Sequence, residues 1–318
     1  MNGHNSISLP RWRGEEPLNG KADGALGSLL KKTPGLDQMI GQVPLASTVA
    51  ELSAYDPASG YHQLKPRLKS WHASLSSRFG EQLPMKYGLA VLSTLIQSHE
   101  ERWLERPLDD ELKPEFVDSF HRLLAAVSRG GVQALQLNTD AFAKELAICL
   151  HRLIPAGGQM VDPGSAVPKR TLLFAPPLQV VQGVYYVSRK AGGRTPFAEL
   201  HTNIFMRHSF TPDGWEYCLQ LLPSVFRSYP HLKGVMGASW FFDPALQSIS
   251  PELHFVRGTA KRWGAVILRV GPDADPELGG ALTMSKRRRE LYQRGEYIPT
   301  VYAMILAKRD VLTRASRR

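Results

Sequence analysis

The feature that most constrains the fold is a change of sequence pattern near the middle of the chain. Between residues 46 and 155, segments such as "MKYGLAVLSTLIQSHEERWL" place apolar residues three and four positions apart, as in amphipathic helices. After the proline- and glycine-rich stretch 156–170, β-branched and aromatic runs such as "FAELHTNIF" predominate. The chain is therefore predicted to have a helical domain followed by a mixed α/β sheet domain.

The same patterns give the predicted boundaries. Residues 1–45 are rich in Gly, Pro and Lys and show little periodicity, which predicts a flexible arm with at most one short helix near "ALGSLLKK". The helical domain covers 46–155, a linker covers 156–170, and an α/β domain with a basic C-terminus covers 171–318. With 318 residues, 43% of them hydrophobic, the chain can bury the cores of two ordinary domains.

Turn residues separate the elements predicted in the second half. "VVQGVYYVS" and "FAELHTNIF", joined by "RKAGGRT", suit an antiparallel hairpin. A helix is predicted over "TPDGWEYCLQLL", with Thr211 as its N-cap and Pro212 in its first turn, and the strand "GVMGAS" follows. We interpret "PALQSI" as a short helix, "LHFVRGTAKRWGAVILRVG" as a strand pair, "SKRRRELYQRG" as a basic helix, and "YIPTVYAMILAKRDVL" as strand or helix.

Charge is concentrated at the C-terminal end. The chain has a net charge of +10, and residues 286–318 carry ten Lys or Arg against three acidic residues. Such a segment suits an anionic partner, which is a phosphorylated cofactor, nucleic acid or another acidic macromolecule. Its plainer interpretation is a solvated face beside a basic chain end.

Several protein classes are disfavoured by the sequence. It contains no apolar run of about 18 residues and no apolar segment typical of a secretion signal, so we expect no membrane span and a cytoplasmic location. Cys149 and Cys218 lie in apolar helical patterns and are predicted to be buried structural residues. A Gly-x-Ser-x-Gly elbow, a Walker loop and a dinucleotide fingerprint are all absent from the sequence.

The order of "ELHTNIF", "TPDGWEYCLQLL", "GVMGASWFFDPAL" and "ISPELHFVR" resembles the GNAT acyltransferase superfamily. In particular, it is similar to a GNAT-like C-terminal domain that follows a helical acyltransferase domain in bacterial proteins. The resemblance covers about the last 140 residues. It implies an α+β fold, in which a helical N-terminal domain is followed by a GNAT-like mixed α/β sheet domain. It also implies transfer of an acyl group from acyl-CoA or an acyl-carrier protein to a small-molecule amine.

The resemblance also suggests where a cofactor and a proton donor would lie. The glycine-rich pyrophosphate loop of the superfamily is replaced here by "RHSFTPDGW", which offers Arg207, Ser209, Thr211 and Gly214 as binding residues for the acyl-CoA phosphates. The tyrosine that protonates the leaving thiolate has its nearest equivalent in Tyr292 of "LYQRGEY", where the following glycine comes one residue early.

Two acid–base candidates come from the residues themselves. Glu199 and His201 are two positions apart on a predicted strand, so their side chains share one face and suit a general base with its orienting carboxylate. The alternative is a strand-face pair with ordinary hydrogen bonds. His201 and His208 are also considered as ligands in a metal-dependent oxygenase, although their spacing fits no standard metal motif and no metal site is predicted.

The end of "GVMGAS" is the predicted substrate pocket. Ser239 and Trp240 follow a buried strand where the backbone leaves the sheet, so Ser239 suits contact with a carbonyl and Trp240 either lines the pocket or packs in the core. Asp243 before Pro244 is predicted to cap a short helix, and Ser250 before Pro251 a second one.

The leading hypothesis is an N-acyltransferase-like protein that uses Glu199, His201 and Tyr292. The alternatives are a noncatalytic binder of nucleic acid or of an acidic partner through the basic C-terminal segment, and the metal-dependent oxygenase.

Overall fold

A computed structural model describes residues 18–54, 60–106, 108–129, 133–173, 175–202, 204–277 and 280–317. The chain divides into two compact units, Met1–Ala156 and Gly157–Arg318. The first is helical and the second contains a sheet, so the α+β fold class predicted from the sequence is confirmed. None of the described helices combines the length and the apolar character needed to cross a bilayer.

The first unit is built from eight helices in its described residues and ends in the short strand β1, Ile154–Ala156. Helix α5 lies in its core, because the residues from Tyr87 to Leu92 are buried on every side, and α1 packs against both α5 and α7. The helices are α1 (Leu18–Lys32), α2 (Leu36–Gln42), α3 (Leu45–Ser53), α4 (Leu64–Phe79), α5 (Leu83–Gln97), α6 (His99–Glu105), α7 (Lys113–Ser128) and α8 (Asp140–Cys149).

Helices α1 and α2 occupy residues that the sequence pattern assigns to a flexible arm. Glycines and lysines dilute the apolar pattern of α1, yet Ala22, Ala25 and Leu29 keep helical spacing and are buried. The prediction of at most one short helix over residues 1–45 is therefore wrong from residue 18 onward. Residues 1–17 lie outside the described part of the chain.

A buried histidine pair lies in the core of the first unit. His99 Nδ1 is 2.7 Å from His151 Nε2, and each residue is 1% exposed. Aromatic rings pack around the pair, namely those of Trp103, Phe116 and Phe120. Burial lowers the pKa of His99 to about 4 and that of His151 to about 2, because the apolar surroundings disfavour the charged imidazolium.

The second unit contains five strands in the order β2-β3-β4-β6-β5. Strands β3 and β4 are parallel, and the other neighbouring pairs are antiparallel. The strands are β2 (Gln159–Ser165), β3 (Phe197–Thr202), β4 (Gly234–Ser239), β5 (Val266–Pro272) and β6 (Thr300–Ala307). The helices are α9 (Lys169–Leu173), α10 (Pro177–Tyr185), α11 (Pro212–Ser228), α12 (Leu246–Ile249), α13 (Phe255–Arg262), α14 (Lys286–Gln293) and α15 (Lys308–Ala315).

The predicted hairpin of "VVQGVYYVS" with "FAELHTNIF" is wrong. The first segment forms α10, whose Gly183 packs against Leu268 while Leu178 on the other face is 70% exposed. Strand β3 pairs instead with β2, which lies in the predicted linker. The Pro-Gly within β2 hides the strand pattern, and it is accommodated where the register shifts between Asp162 and Ser165.

For the other elements of the second unit, some predictions from the sequence are confirmed and one is wrong. Strands β3 and β4 and the helices α11, α12 and α14 form where their patterns place them, and Pro223 is accommodated inside α11. The segment "LHFVRGTAKRWGAVILRVG" contains α13 followed by β5, so the predicted strand pair is wrong. Val256, Ala260 and Trp263 are buried at helical spacing there. Cys149 and Cys218 are both buried, as predicted.

Candidate functional site

The candidate site lies where the parallel strands β3 and β4 separate. Helix α11 connects them, and their ladder pairs only Ala198 with Val235 and Glu199 with Met236. Beyond these two pairs the ends of both strands line a cavity of about 120 Å³. Ligand sites in open α/β sheets lie at such carboxyl ends of parallel strands.

Both aromatic rings and polar groups line the cavity. The rings of Phe210, Trp215, Phe241 and Phe242 line it, and Phe210 and Phe241 are 4.8 Å apart between centroids. Its polar side chains are those of Gln159, His201, Thr202 and Ser239. Among the described residues that line it there is no Lys, Arg, Asp or Glu. The cavity therefore suits a small, uncharged group that combines an apolar part with hydrogen-bonding atoms.

His201 and Glu199 are brought together on β3. His201 lines the cavity, and one of its ring nitrogens lies within 4.8 Å of a Glu199 carboxylate oxygen. Glu199 Oε2 also accepts a hydrogen bond of 3.0 Å from Ser165 Oγ on the neighbouring strand. A carboxylate held in this way can orient an imidazole and stabilise its protonated form.

Ser239 and Trp240, which the sequence assigns to one pocket, lie in different surroundings. Ser239 lines the cavity, and its Oγ accepts a hydrogen bond of 3.2 Å from the Phe241 amide. Trp240 is buried with Leu246 and does not line the cavity. The guanidinium of Arg288 lies 4.8 Å from the centroid of its ring, which is the geometry of a cation–π contact. Of the two, only Ser239 is positioned to contact a ligand in this cavity.

Arg288 changes the interpretation of the basic helix α14. It is 3% exposed and donates hydrogen bonds to Ser250 Oγ at 2.8 Å and to the Ala281 carbonyl at 2.6 Å. Ser250 thus accepts from Arg288, and the prediction that its side chain caps the turn at Pro251 is wrong. The neighbouring Lys286, Arg287 and Arg289 are exposed. An anionic partner would meet these three side chains, while Arg288 holds the helix against the unit.

Asp243 has a structural position beside the cavity. Its carboxylate accepts hydrogen bonds from the Ala245 amide at 3.0 Å and from the Thr300 amide at 3.2 Å. The first bond closes a turn before α12, whose N-cap is Ala245 without a side-chain cap, so the prediction that Asp243 caps this helix is wrong. The second bond ties the turn after β4 to the start of β6. Burial, together with the Asp243 charge, raises the pKa of both Tyr297 and Tyr302.

The N-terminus of α11, predicted to bind the phosphates of acyl-CoA, does not fit a pyrophosphate. Thr211 Oγ1 accepts from the Gly214 amide at 3.1 Å, and the Thr211 carbonyl accepts from the Trp215 amide at 2.9 Å. Pro212 has no N–H group, and Asp213 places a negative charge in the first turn. The Gly214 and Trp215 amides are therefore already bonded within the chain, and the Asp213 charge opposes a second anion at this helix end.

The loop before α11 is closely packed. An ideal Cβ on Gly214 would lie 1.9 Å from the Ser209 carbonyl oxygen, so that carbonyl occupies the space a side chain would need. Ser209 is itself buried. The side chain of Arg207, the remaining predicted phosphate ligand, lies outside the described part of the chain.

Tyr292 and His208 lie apart from the cavity. Tyr292 is 41% exposed on α14, and His208 is exposed on the helical turn Ile204–Ser209. Neither residue lines the cavity that holds His201. The structure thus brings together Glu199, His201 and Ser239 among the predicted site residues.

Gln159 and Trp215 are among the cavity residues that sequence reasoning missed. Gln159 lies in the stretch interpreted as a linker, and Trp215 belongs to the apolar stripe of α11, where a core role is the default expectation. Their meeting depends on the pairing of β2 with β3, which no local pattern indicates. The side-chain amide of Gln159 and the indole N–H of Trp215 would have indicated binding residues only if the pairing of β2 with β3 were known.

Comparisons of this chain with protein-family models, with curated proteins and with solved structures found no match. A function is therefore argued from the geometry of the cavity.

Proposed function

We propose that the second unit transfers an acyl group from a thioester to an amine in the cavity between β3 and β4. The observation that carries the proposal is the early end of the parallel ladder, after which His201 and Ser239 face one aromatic-lined cavity. This is the arrangement that the resemblance to GNAT acyltransferases implies for the thioester site. His201 supplies a base at the place where the acyl carbon would lie.

The reaction can be assigned to these residues step by step. The amine nitrogen attacks the thioester carbonyl carbon, a C–N bond forms, and His201 takes the proton released by the nitrogen. The C–S bond then breaks, and the imidazolium returns the proton to the leaving thiolate. Glu199 orients the ring and stabilises its charged form between the two steps. Tyr292 has no role in this scheme because it lies outside the cavity.

The donor proposed is a thioester whose carrier is not held by the N-terminus of α11. That helix end is capped by Thr211 and carries Asp213, so an acyl-CoA would have to place its pyrophosphate elsewhere. An acyl-carrier protein, or a small thioester without phosphates, avoids this conflict.

The test is thioester cleavage with a minimal donor. We would incubate the full chain with propionyl-N-acetylcysteamine thioester and hydroxylamine, which stands in for the unknown amine, and measure thiol and hydroxamate together. Equal amounts of both products, above the rate without protein, are expected. Because general acid–base catalysis contributes about 10²- to 10⁴-fold, His201→Gln should lower the rate at least about 100-fold.

The matched control is His208→Gln, which removes an exposed imidazole outside the cavity and should retain the parent rate. Absence of product above the uncatalysed rate would refute the proposed function. An unchanged rate in His201→Gln would refute the role of His201. Circular dichroism of each variant shows whether the fold is retained.

A further inference from the structure

Two of the side chains that line the cavity carry buried N–H donors. Gln159 and Trp215 are each 3% exposed. Neither Gln159 Nε2 nor Trp215 Nε1 makes a hydrogen bond within the part of the chain that the structure describes. By contrast, the indole of Trp263 donates to Glu216 Oε1 at 2.9 Å. Since a buried donor without an acceptor is costly, two at one cavity indicate that the acceptor is a ligand.

The chemistry of the lining restricts that ligand. An indole N–H can only donate a hydrogen bond, and the unsatisfied atom of the Gln159 amide is its donor nitrogen. The ligand must therefore offer an acceptor, such as an oxygen atom. Because both donors are neutral and no cation lies among the described lining residues, a carbonyl oxygen suits the site better than a carboxylate. Aromatic rings form part of the wall, and they suit a short alkyl chain.

The volume favours a short chain. The cavity measures about 120 Å³. Pockets that hold drug-sized ligands measure about 300–1,000 Å³, so this one suits a smaller group. An acetyl or propionyl group suits such a space better than an octanoyl group does.

We propose that Gln159 Nε2 and Trp215 Nε1 together donate hydrogen bonds to the carbonyl oxygen of a short acyl group, of two to four carbon atoms, bound in this cavity. This inference rests on the proposed acyl transfer, because it names the acyl group and the residues that polarise its carbonyl. Polarisation by two donors also favours attack, since the oxygen gains negative charge as the amine adds.

The experiment follows the indole N–H resonances of the ¹⁵N-labelled chain during titration with propionyl-N-acetylcysteamine thioester. The resonance that disappears in Trp215→Phe is assigned to Trp215, and it should move downfield as it becomes a hydrogen-bond donor. The Trp263 resonance, assigned in the same way, should stay in place. Octanoyl-N-acetylcysteamine thioester at the same concentrations should leave both resonances unchanged.

Variants then measure the contribution of each donor. Gln159→Leu and Trp215→Phe keep an apolar side chain in place and should each weaken propionyl thioester binding about three- to ten-fold, the range for one neutral hydrogen bond. Trp263→Phe, which removes an indole N–H away from the cavity, is the matched control and should bind as the parent does.

The outcomes separate this inference from the proposed function. Turnover of the propionyl thioester with unchanged KM and kcat in both Gln159→Leu and Trp215→Phe would overturn the donor assignment and leave acyl transfer standing. A Trp215 shift without turnover would uphold the donor assignment and refute the transfer. Absence of any shift at saturating concentrations, or equal binding of the octanoyl thioester, would overturn the inference.

Discussion

The buried pair of His99 and His151 should make the first unit sensitive to mild acid. In the folded chain the two pKa values are held at about 4 and about 2, whereas an unfolded chain binds the same protons with a pKa near 6.5. Because the unfolded state takes up more protons, stability is fully present above the unfolded pKa and falls as the pH drops toward the folded values. The sensitive window therefore runs from pH 6.5 down to about pH 4 for His99 and to about pH 2 for His151.

The magnitude follows from the two shifts. Each histidine lowers the free energy of unfolding by about 1.4 kcal/mol for every pH unit below its unfolded pKa. At pH 5 the loss is therefore about 2 kcal/mol for each histidine and about 4 kcal/mol for the pair. A single domain is stable by only about 5–15 kcal/mol, so this loss is a large part of the total. The nearby carboxylate of Glu100 opposes the shift of His99, and burial outweighs it.

The assay is backbone hydrogen exchange of the α7 and α8 peptides, read by mass spectrometry at pH 8 and pH 5 with the intrinsic exchange rates corrected. It reports the opening free energy of the first unit alone. The double variant His99→Phe, His151→Asn removes both titrating groups. Phenylalanine suits the surrounding rings, and asparagine tolerates the left-handed backbone of His151, whose φ is 54°.

The double variant should lose most of the difference between the two pH values. Its comparison with the parent cancels the effects of carboxylates common to both chains. His72→Gln, at a partly exposed position on α4, is the control and should keep the parent difference. The reasoning is refuted if the parent is equally stable at both pH values, or if the double variant keeps the parent's acid sensitivity.

Two further predictions concern the second unit, and urea unfolding measures both. Asp243→Ala should destabilise it by about 2–4 kcal/mol, because the amides of Ala245 and Thr300 both lose their buried acceptor; a loss below about 0.5 kcal/mol would contradict the bridging role. Gly214→Ala should cost about 1–3 kcal/mol, since the added Cβ would lie 1.9 Å from a backbone carbonyl oxygen. Gly258→Ala in α13, whose added Cβ meets only a flexible side chain at 3.6 Å, should be neutral or stabilising by up to about 1 kcal/mol, and equal losses at the two glycines would contradict the packing argument.

The parts of the fold that the sequence predicted well are those with a strong local signal. Thr211, Pro212 and the apolar stripe behind them mark the start of α11, because capping depends on residues within one turn. Strand β2 and helix α10 were misassigned for the opposite reason. The Val and Tyr residues of α10 favour a strand locally, whereas the helix packs on β5, with Gly183 close to Leu268, which the local sequence does not reveal.

Residues of the candidate site could likewise be predicted only where a local sequence signal exists. His201 and Ser239 could be predicted because each lies near the end of a recognisable strand and carries a reactive or hydrogen-bonding group. Gln159 could not, because it reaches the cavity through the pairing of Gln159 with Thr202, a contact between distant parts of the chain. The failure of Tyr292 to reach the cavity likewise depends on where α14 packs, which its own sequence does not reveal.

The short ladder between β3 and β4 also has a mechanical consequence. Only two residue pairs join β3 to β4, and through them the pair β2–β3 to the strands β4, β6 and β5. By contrast, β4 and β6 share six residue pairs. Bending the sheet along this junction would disturb few backbone hydrogen bonds, so we expect the sheet to be more flexible here than between β4 and β6. The cavity lies at this junction, and we expect its opening to adjust while the two groups of strands keep their own pairing.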